Sequence, residues 1–312
     1  MSATRELAAF GALLPLLALS VPPASAADGD VFGGREGCFI LQQGGAVAPL
    51  VRTGTLCAER VSPCSTFKIP NSLIGLETGV IAGADFVIPW DGVKRDREEW
   101  NRDHTLASAI KVSAVWYYQE LARRVGASRM QKLLDAIPYG NRDTSSGIDV
   151  FWLGRSLRIS PDEQVAFLER LRLSRLPFSE RSQRIVRDIL VQERSGSFVY
   201  RGKTGSCGGG AAPDHGWWVG WVERDGKSTV FTMLVRGKGA FGLEARRLAE
   251  DELRKRHLLG PQASPAVAAA PRPLAVGFGL RQVAAVGSSR RSVALQPPGH
   301  EGFTSTGEGL HP

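Results

Sequence analysis

The order of the periodic segments is the feature of this chain that limits its fold most. A strand at 38–42 and a second near 50–57 precede a mainly helical stretch at 105–195. After that stretch the apolar period changes to two, in "SFVYRGKTG", "GWWVGWVE" and "STVFTMLVR", and an amphipathic helix, "GLEARRLAEDELRKRH", follows. Strand segments far apart in the sequence therefore have to pair around a helical insertion, which predicts an α/β fold of the α+β type.

Capping and turn residues predict where several elements begin and end. We expect a helix from Ser65 to Gly79 and a hairpin turn at Asp225-Gly226. Three further helix starts are expected: Ser128 before "RMQKLLDAI", Ser160 with Pro161 and Glu163 as a capping box, and Ser179, whose helix ends at Gly196.

The two ends of the chain differ from its body. Residues 1–26 hold a short apolar run followed by Ala24-Ser25-Ala26, the pattern of a cleavable signal peptide, and the run is too short to span a bilayer. Residues 258–312 are rich in proline and poor in acidic residues, which predicts a disordered tail. The expected product is one domain, 27–257, exported to the periplasm, with no transmembrane segment.

Charge is mixed rather than concentrated. The chain has 39 Lys and Arg against 31 Asp and Glu, a net charge of +8, but the two signs alternate along its helices. This pattern favours a solvated surface over a basic binding face, so we expect no nucleic-acid partner.

The four cysteines are Cys38, Cys57, Cys64 and Cys207. An even number in an oxidising compartment favours two disulfides, with three possible connectivities. The sequence has no C-x-x-C pair and no histidine cluster, so we expect no metal; we expect His215 to be a surface residue rather than a ligand.

Ser65 and Lys68 lie three residues apart at a predicted helix start and therefore share one face of the helix. A serine at that position has free backbone N–H groups that can hold an oxyanion. Lys68 lies in an apolar run, "FKIPNSLIGL", and burial would lower its pKa so that it could act as a base.

Lys203-Thr204-Gly205 ends a strand. A phosphate-binding loop would need a glycine at 197, where Ser197 lies, and a helix after the lysine, so we exclude nucleotide binding. The motif instead offers a cation, a hydroxyl and, at Gly205, a backbone that a ligand can approach.

Ser-x-x-Lys followed by Lys-Thr-Gly is typical of penicillin-recognising serine enzymes. The chain resembles the class D (oxacillinase-type) serine β-lactamases over 38–256. The matching segments are "PCSTFKIPNSLIGLETGVI", "WDG" at 90–92, Ser113-Ala114-Val115, Tyr139-Gly140-Asn141, "GIDVFWL" at 147–153, Lys203-Thr204-Gly205 and "WWVGWVE". The resemblance implies the β-lactamase/transpeptidase-like fold, an antiparallel sheet flanked by helices beside an all-helical lobe, with the site between them.

The resemblance also implies the catalytic roles. Ser65 would form an acyl-enzyme, and Lys68 would be N-carboxylated by CO2 or bicarbonate, the only small molecule required, and serve as general base. Ser113 would pass a proton to the leaving nitrogen. Val115 and Leu153 would provide apolar walls for the carbamate, and the Trp152 indole N–H would bond to it.

For the substrate, a small-molecule β-lactam, the resemblance implies a carboxylate site at Lys203, Thr204 and an arginine. We assign that arginine to Arg246, with Arg247 as the neighbouring alternative. The oxyanion would lie between the N–H groups of Ser65 and Ser206. Gly205 and Tyr139 complete the substrate-binding set, although without the resemblance Tyr139 and Trp152 would both be assigned to core packing.

Ser206 and Cys207 follow Lys-Thr-Gly where the family usually has an aromatic residue. Because Cys64 precedes the nucleophile, this resembles the active-site disulfide of certain class A carbapenem-hydrolysing enzymes. It implies the pair Cys64–Cys207, which leaves Cys38–Cys57 as a cross-strand pair; a local Cys57–Cys64 bridge with the other two cysteines free is the alternative.

Three functions remain open at this stage. Hydrolysis of β-lactam antibiotics by a monomer or dimer is the leading hypothesis. The alternatives within the same superfamily are a D,D-peptidase and a β-lactam sensor that is acylated once without turnover.

Overall fold

The computed structural model describes residues 30–208 and 214–260. The predicted signal peptide and the predicted tail from residue 261 onward lie outside the described residues. Within the described ranges, no helix has the length and apolar character needed to cross a membrane.

The described elements follow the predicted order of strands, helices, strands and a terminal helix. The strands are β1 (Glu36–Gln43), β2 (Val51–Thr53), β3 (Val87–Ile88), β4 (His104–Thr105), β5 (Val191–Ser195), β6 (Phe198–Cys207), β7 (His215–Arg224) and β8 (Lys227–Arg236). The α-helices are α1 (Lys68–Glu77), α2 (Leu106–Val112), α3 (Val115–Val125), α4 (Ala127–Asp135), α5 (Pro161–Arg172), α6 (Glu180–Ile189) and α7 (Gly242–Lys255), and short 3-10 helices cover Cys64–Phe67 and Glu98–Trp100.

The main sheet is antiparallel, with strand order β2-β1-β8-β7-β6-β5. β1 pairs with β8 along its whole length, from Glu36 opposite Arg236 to Gln43 opposite Thr229. The first strand of the chain thus pairs with the last one, around the helical insertion, as the sequence predicts. β3 and β4 form a separate two-stranded hairpin within the helical part.

Each face of the sheet is covered by helices because side chains alternate along its strands. On β7, Trp217, Val219 and Trp221 pack into the core with α1 and α3 to α6. Trp218 and Val222 on the opposite face pack against α7. This two-sided burial explains why β7 is apolar at nearly every position.

Several predicted boundaries are confirmed. Ser160 and Glu163 form a reciprocal capping box with Pro161 at the helix start. Asp225 and Gly226 both have positive φ, 50° and 76°, as a tight hairpin turn requires.

Two other predicted boundaries are wrong. Ser128 lies inside α4, which follows Gly126 with no side-chain cap. The helix that begins after Ser179 ends at Ile189 rather than near Gly196. Residues 191–195 instead form β5, because they pair with β6.

Candidate active site

The proposed nucleophile lies at the junction of two helices. Ser65 belongs to the 3-10 helix Cys64–Phe67, which continues directly into α1 at Lys68. The Lys68 Nζ atom is 2.8 Å from the Ser65 Oγ atom. Lys68 is fully buried, whereas Ser65 is half-buried and faces a cavity. The pair therefore has the geometry of a nucleophile beside its base.

Buried hydrogen bonds fix the chain just before the nucleophile. The Trp217 indole N–H of β7 donates to the Ser62 carbonyl oxygen at 2.9 Å. The Ser62 hydroxyl donates to the Trp152 carbonyl at 2.9 Å and accepts from the Gly154 N–H at 3.0 Å. The sheet and the 147–154 loop thus hold the nucleophile segment from both sides.

Burial lowers the pKa of the Lys68 amine well below its ordinary value, and the positive charges of Lys203 and Arg97 lower it further. The Nζ atom also lies 5.4 Å from the centre of the Tyr118 ring. Burial and the two neighbouring cations thus shift the equilibrium of this amine toward its neutral form.

Strand β6 supplies the second cation of the site. The Lys203 Nζ atom is 3.0 Å from the Ser113 Oγ atom and 3.3 Å from Thr204 Oγ1. Burial, together with the nearby Arg97 charge, lowers the pKa of Lys203 to about 7. Ser113 reaches this position because it ends α2 in the left-handed region, at φ 58°.

Gly205 permits the close approach of β6 to the nucleophile segment. A Cβ atom at this position would lie 2.8 Å from the Pro63 carbonyl oxygen and 3.1 Å from Thr66 Cγ2. The glycine is therefore required by the packing of two backbones rather than by its own φ angle.

These side chains surround a cavity of about 380 Å3. One wall comes from the helical part and the other from the sheet and α7. The lining residues are Ser65, Arg97, Trp100, Ile110, Lys111, Val112, Ser113 and Val115, with Gln192, Gly202, Lys203, Thr204, Ser206, Trp218, Phe241, Leu243 and Arg246 opposite.

Arg246 and Arg247 face different ways from α7. Arg246 lines the cavity, stacks on the Trp218 ring at 4.7 Å and pairs with Glu250 at 2.7 Å. Arg247 pairs with Glu244 and Asp251 away from the cavity. The geometry thus favours Arg246 as the substrate-facing arginine.

Comparison with known proteins gives the family. The family described as "Penicillin binding protein transpeptidase domain" matches residues 42–252. The chain is 46% identical to "Beta-lactamase OXA-48" of Klebsiella pneumoniae over 199 residues, which is 64% of this chain and 75% of that protein. It is 41% identical to "Probable beta-lactamase YbxI" of Bacillus subtilis (strain 168) over 232 residues, 74% of this chain and 84% of that protein.

Solved structures of other proteins support the same family. The crystal structure of a class D β-lactamase from Bacillus subtilis matches with a TM-score of 0.70 at 41% identity, covering 74% of this chain and 95% of that one. The structure of the BPu1 β-lactamase matches with a TM-score of 0.69 at 43% identity, covering 75% and 97%. This chain is a class D β-lactamase.

Most of the predicted site residues of this class D β-lactamase come together around the cavity. Ser65, Ser113, Val115, Lys203, Thr204, Ser206 and Arg246 line it. Lys68 lies directly behind Ser65, and Gly205 lies where β6 approaches the nucleophile segment.

Three predicted residues lie behind the cavity instead. Trp152 is fully buried and stacks on Phe67 with ring centroids 5.3 Å apart. Leu153 is half-buried against the same core. Tyr139 is fully buried between Phe67 and Phe167, so its side chain does not reach the cavity. The structure therefore places Tyr139 in the core rather than with the substrate-binding residues.

The cysteines pair as the class A resemblance implies. The disulfides are Cys64–Cys207, with Cα atoms 5.9 Å apart, and Cys38–Cys57, with Cα atoms 5.0 Å apart. The first links the residue before Ser65 to the end of β6. The prediction of a surface His215 is wrong: it is only 4% exposed and its Nε2 atom is 2.9 Å from the Ser62 carbonyl oxygen. It is buried because it begins β7 opposite Cys207.

Arg97 and Trp100 also line the cavity, although neither was among the predicted site residues. Both lie in the irregular segment between β3 and β4, which carries no periodic signal. The Trp100 indole N–H donates to the Val112 carbonyl at 3.0 Å and so brings the segment to the cavity. Gln192 was not predicted as a site residue either, because the sequence pattern predicts a helix where β5 lies. The Gln192 side-chain oxygen accepts a hydrogen bond from Arg246 at 3.1 Å.

Proposed function

We propose that this chain hydrolyses β-lactam antibiotics through an acyl-enzyme on Ser65. The observation that carries the proposal is the buried Lys68 amine, 2.8 Å from the Oγ atom of Ser65, a residue that lines one cavity with Lys203 and Arg246. The membership in the class D family and the relatives named as β-lactamases support the same reaction.

The substrate carboxylate binds on the sheet side of the cavity. Lys203 offers a cation, Thr204 a hydroxyl, and Arg246 a guanidinium that the Trp218 ring holds in place. Charge-assisted hydrogen bonds of this kind are about twice as strong as neutral ones. They orient the lactam carbonyl toward Ser65.

The oxyanion binds to the N–H groups of Ser65 and Ser206. As a first-turn residue, Ser65 has an N–H with no acceptor inside its helix. The Gly202 N–H points to the outer edge of β6, where it donates to the Leu190 carbonyl at 3.0 Å. Because N–H directions repeat every two residues along a strand, the Ser206 N–H points to the same edge, facing the cavity.

The surroundings of Lys68 fit a carboxylated lysine. Only a neutral amine reacts with CO2, and burial lowers the pKa of Lys68 toward that form. The Trp152 Nε1 atom is buried and has no hydrogen-bond partner among the described residues, so it can donate to a carbamate oxygen. When present, the carbamate supplies the general base for acylation and for activation of water. Val115 and the aromatic ring of Trp152 keep the site apolar.

Ser113 delivers the proton to the leaving lactam nitrogen. Its hydroxyl lies 3.0 Å from the Lys203 Nζ atom, and Lys203 can exchange a proton near neutral pH because its pKa is about 7. The left-handed end of α2 fixes the hydroxyl at the cavity wall.

The test is turnover of a chromogenic cephalosporin by the purified chain, with and without bicarbonate, beside Lys68→Ala. We expect many turnovers, stimulation by bicarbonate and loss of turnover in the variant. A carbamate signal from 13C-bicarbonate in the NMR spectrum, absent from the variant, checks the modification independently of activity. A single stoichiometric burst that leaves Ser65 acylated would instead indicate the peptidase or sensor alternative.

We also propose that the protein is exported to the periplasm after removal of residues 1–26. Two disulfides in the described residues support folding in an oxidising compartment. N-terminal sequencing of the periplasmic protein is expected to begin at Ala27; a chain retained in the cytoplasm with Met1 intact would contradict the proposal. The stoichiometry, monomer or dimer, follows from light scattering of the same preparation.

A further inference from the structure

Positive charge dominates the lining of the active-site cavity. Four cationic side chains line it, those of Arg97, Lys111, Lys203 and Arg246, and no Asp or Glu is among the described lining residues. Two of the four are paired with carboxylates behind them, Arg97 with Glu99 and Arg246 with Glu250. One monoanionic substrate carboxylate does not require this many cations.

The cations stand on opposite walls. Lys203 and Arg246 belong to the sheet and α7, where the proposed carboxylate site lies. Arg97 belongs to the segment that Trp100 fastens to the end of α2, and Lys111 is in the last turn of α2. Their charge is therefore presented from the helical wall, whereas Lys203 and Arg246 belong to the sheet and α7.

Arg97 is held in a position where it can bind a ligand. Its guanidinium stacks on the Trp100 ring at 5.0 Å. Its Nε and Nη2 atoms both donate to the Glu99 carboxylate. Its Nη1 atom makes no hydrogen bond to any residue within 30–208 or 214–260. Its charge also contributes to the lowered pKa of both Lys68 and Lys203, in keeping with its place in the cavity lining.

We propose that Arg97 is a specificity-determining residue that selects β-lactams carrying a second anionic group on the acyl side chain. The inference rests on the proposed function. In a penicillin, the ring carboxylate and the acylamino side chain lie on opposite sides of the scissile amide. With the ring carboxylate on Lys203 and Arg246, the side chain extends toward the other wall, where Arg97 meets a carboxylate or sulfonate. Lys111 adds its positive charge to the electrostatic field on this wall.

The test compares three penicillins that differ only at the side-chain carbon next to the phenyl ring. Benzylpenicillin has no charge there, α-carboxybenzylpenicillin has a carboxylate, and ampicillin has an ammonium group. We measure kcat/KM for each and take the ratio to benzylpenicillin, because a general effect of Arg97 on Lys68 or Lys203 cancels in the ratio.

For Arg97→Ala, we expect the α-carboxybenzylpenicillin ratio to fall about 3- to 10-fold, the range of one partly exposed charge-assisted contact. Arg97→Glu is expected to lower it further and to raise the ampicillin ratio. Lys94→Ala removes the same charge from an exposed position on the same segment, outside the cavity lining, and is expected to change either ratio less than 1.5-fold. Added salt should lower the wild-type α-carboxybenzylpenicillin ratio.

Two results separate the possible failures. If the wild type turns over none of the three penicillins, the proposed function is wrong. If it turns over all three and neither Arg97 variant changes the ratios, or Lys94→Ala changes them equally, the assignment of Arg97 is wrong and the proposed function stands.

Discussion

Removal of the active-site disulfide is expected to cost more stability than removal of the other one. The Cys64–Cys207 bridge closes a loop of 143 residues, and Cys38–Cys57 closes one of 19. Loop-closure entropy predicts a stabilisation of about 5 kcal/mol for the first and about 3 kcal/mol for the second at 25 °C. The larger effect therefore belongs to the bridge beside the nucleophile.

The perturbation is a pair of double variants, Cys64→Ala with Cys207→Ala and Cys38→Ala with Cys57→Ala. All four cysteines are buried, so each variant loses similar packing and the two serve as controls for each other. The loops do not overlap in sequence, so their contributions should add in the quadruple variant.

The assay is urea unfolding at neutral pH, followed by tryptophan fluorescence and circular dichroism to check that the transitions coincide. We expect the active-site variant to lose about 2 kcal/mol more than the other variant. Equal losses, or a larger loss in the Cys38–Cys57 variant, would refute the entropic reasoning. Recovery of a Cys57–Cys64 peptide from the unreduced protein would refute the pairing itself.

Three further results follow from the site. Lys203 binds a carboxylate only when it is protonated, and its pKa is about 7, so kcat/KM should fall as the pH rises through 7. Lys203→Arg should move this fall in kcat/KM to higher pH. If the fall stays at the same pH in the variant, another group is responsible for it. Gly205→Ala places a methyl group 2.8 Å from a backbone oxygen and should lower the free energy of unfolding in urea by about 1 to 3 kcal/mol. Gly83→Ala is the control: its Cβ meets only a side-chain atom at 3.8 Å, so the loss should be less than about 1 kcal/mol. Arg246→Ala should lower kcat/KM for a chromogenic cephalosporin about 10- to 100-fold, and Arg247→Ala less than about 2-fold; equal effects would argue against the assignment of Arg246.

The sequence predicted the parts of the site that have a fixed spacing within one element. Ser65 and Lys68 are one helical turn apart, and Lys203 to Gly205 lie near the end of β6, which continues to Cys207, so local periodicity was enough to identify them. The class D resemblance then assembled these pieces into one site. The meander of β6 to β8 was predicted from its period of two, and β1 from the segment "CFILQ" at 38–42.

What could not be predicted depends on contacts between distant segments. Arg97 reaches the cavity in a segment held by tertiary hydrogen bonds, from the Trp100 indole N–H to the Val112 carbonyl at the end of α2 and from the Trp116 indole N–H to the Trp100 carbonyl. His215 is buried because it begins β7 in register with Cys207. Residues 191–195 form a strand because they pair with the edge of β6, although the helical sequence pattern before them continues through these residues.

The pairing of β1 with β8 has a consequence for when the protein can fold. Glu36 lies opposite Arg236, 200 residues later. At a synthesis rate of about 5 to 20 residues per second, the first strand waits about 10 to 40 s for its partner to leave the ribosome. β7 and β6 are linked to β1 through β8, so the six-stranded sheet cannot be complete before β8 has been made. Closure of this sheet is consequently a late step, and until β8 has been synthesised the growing chain stays open to any machinery that handles unfolded polypeptides.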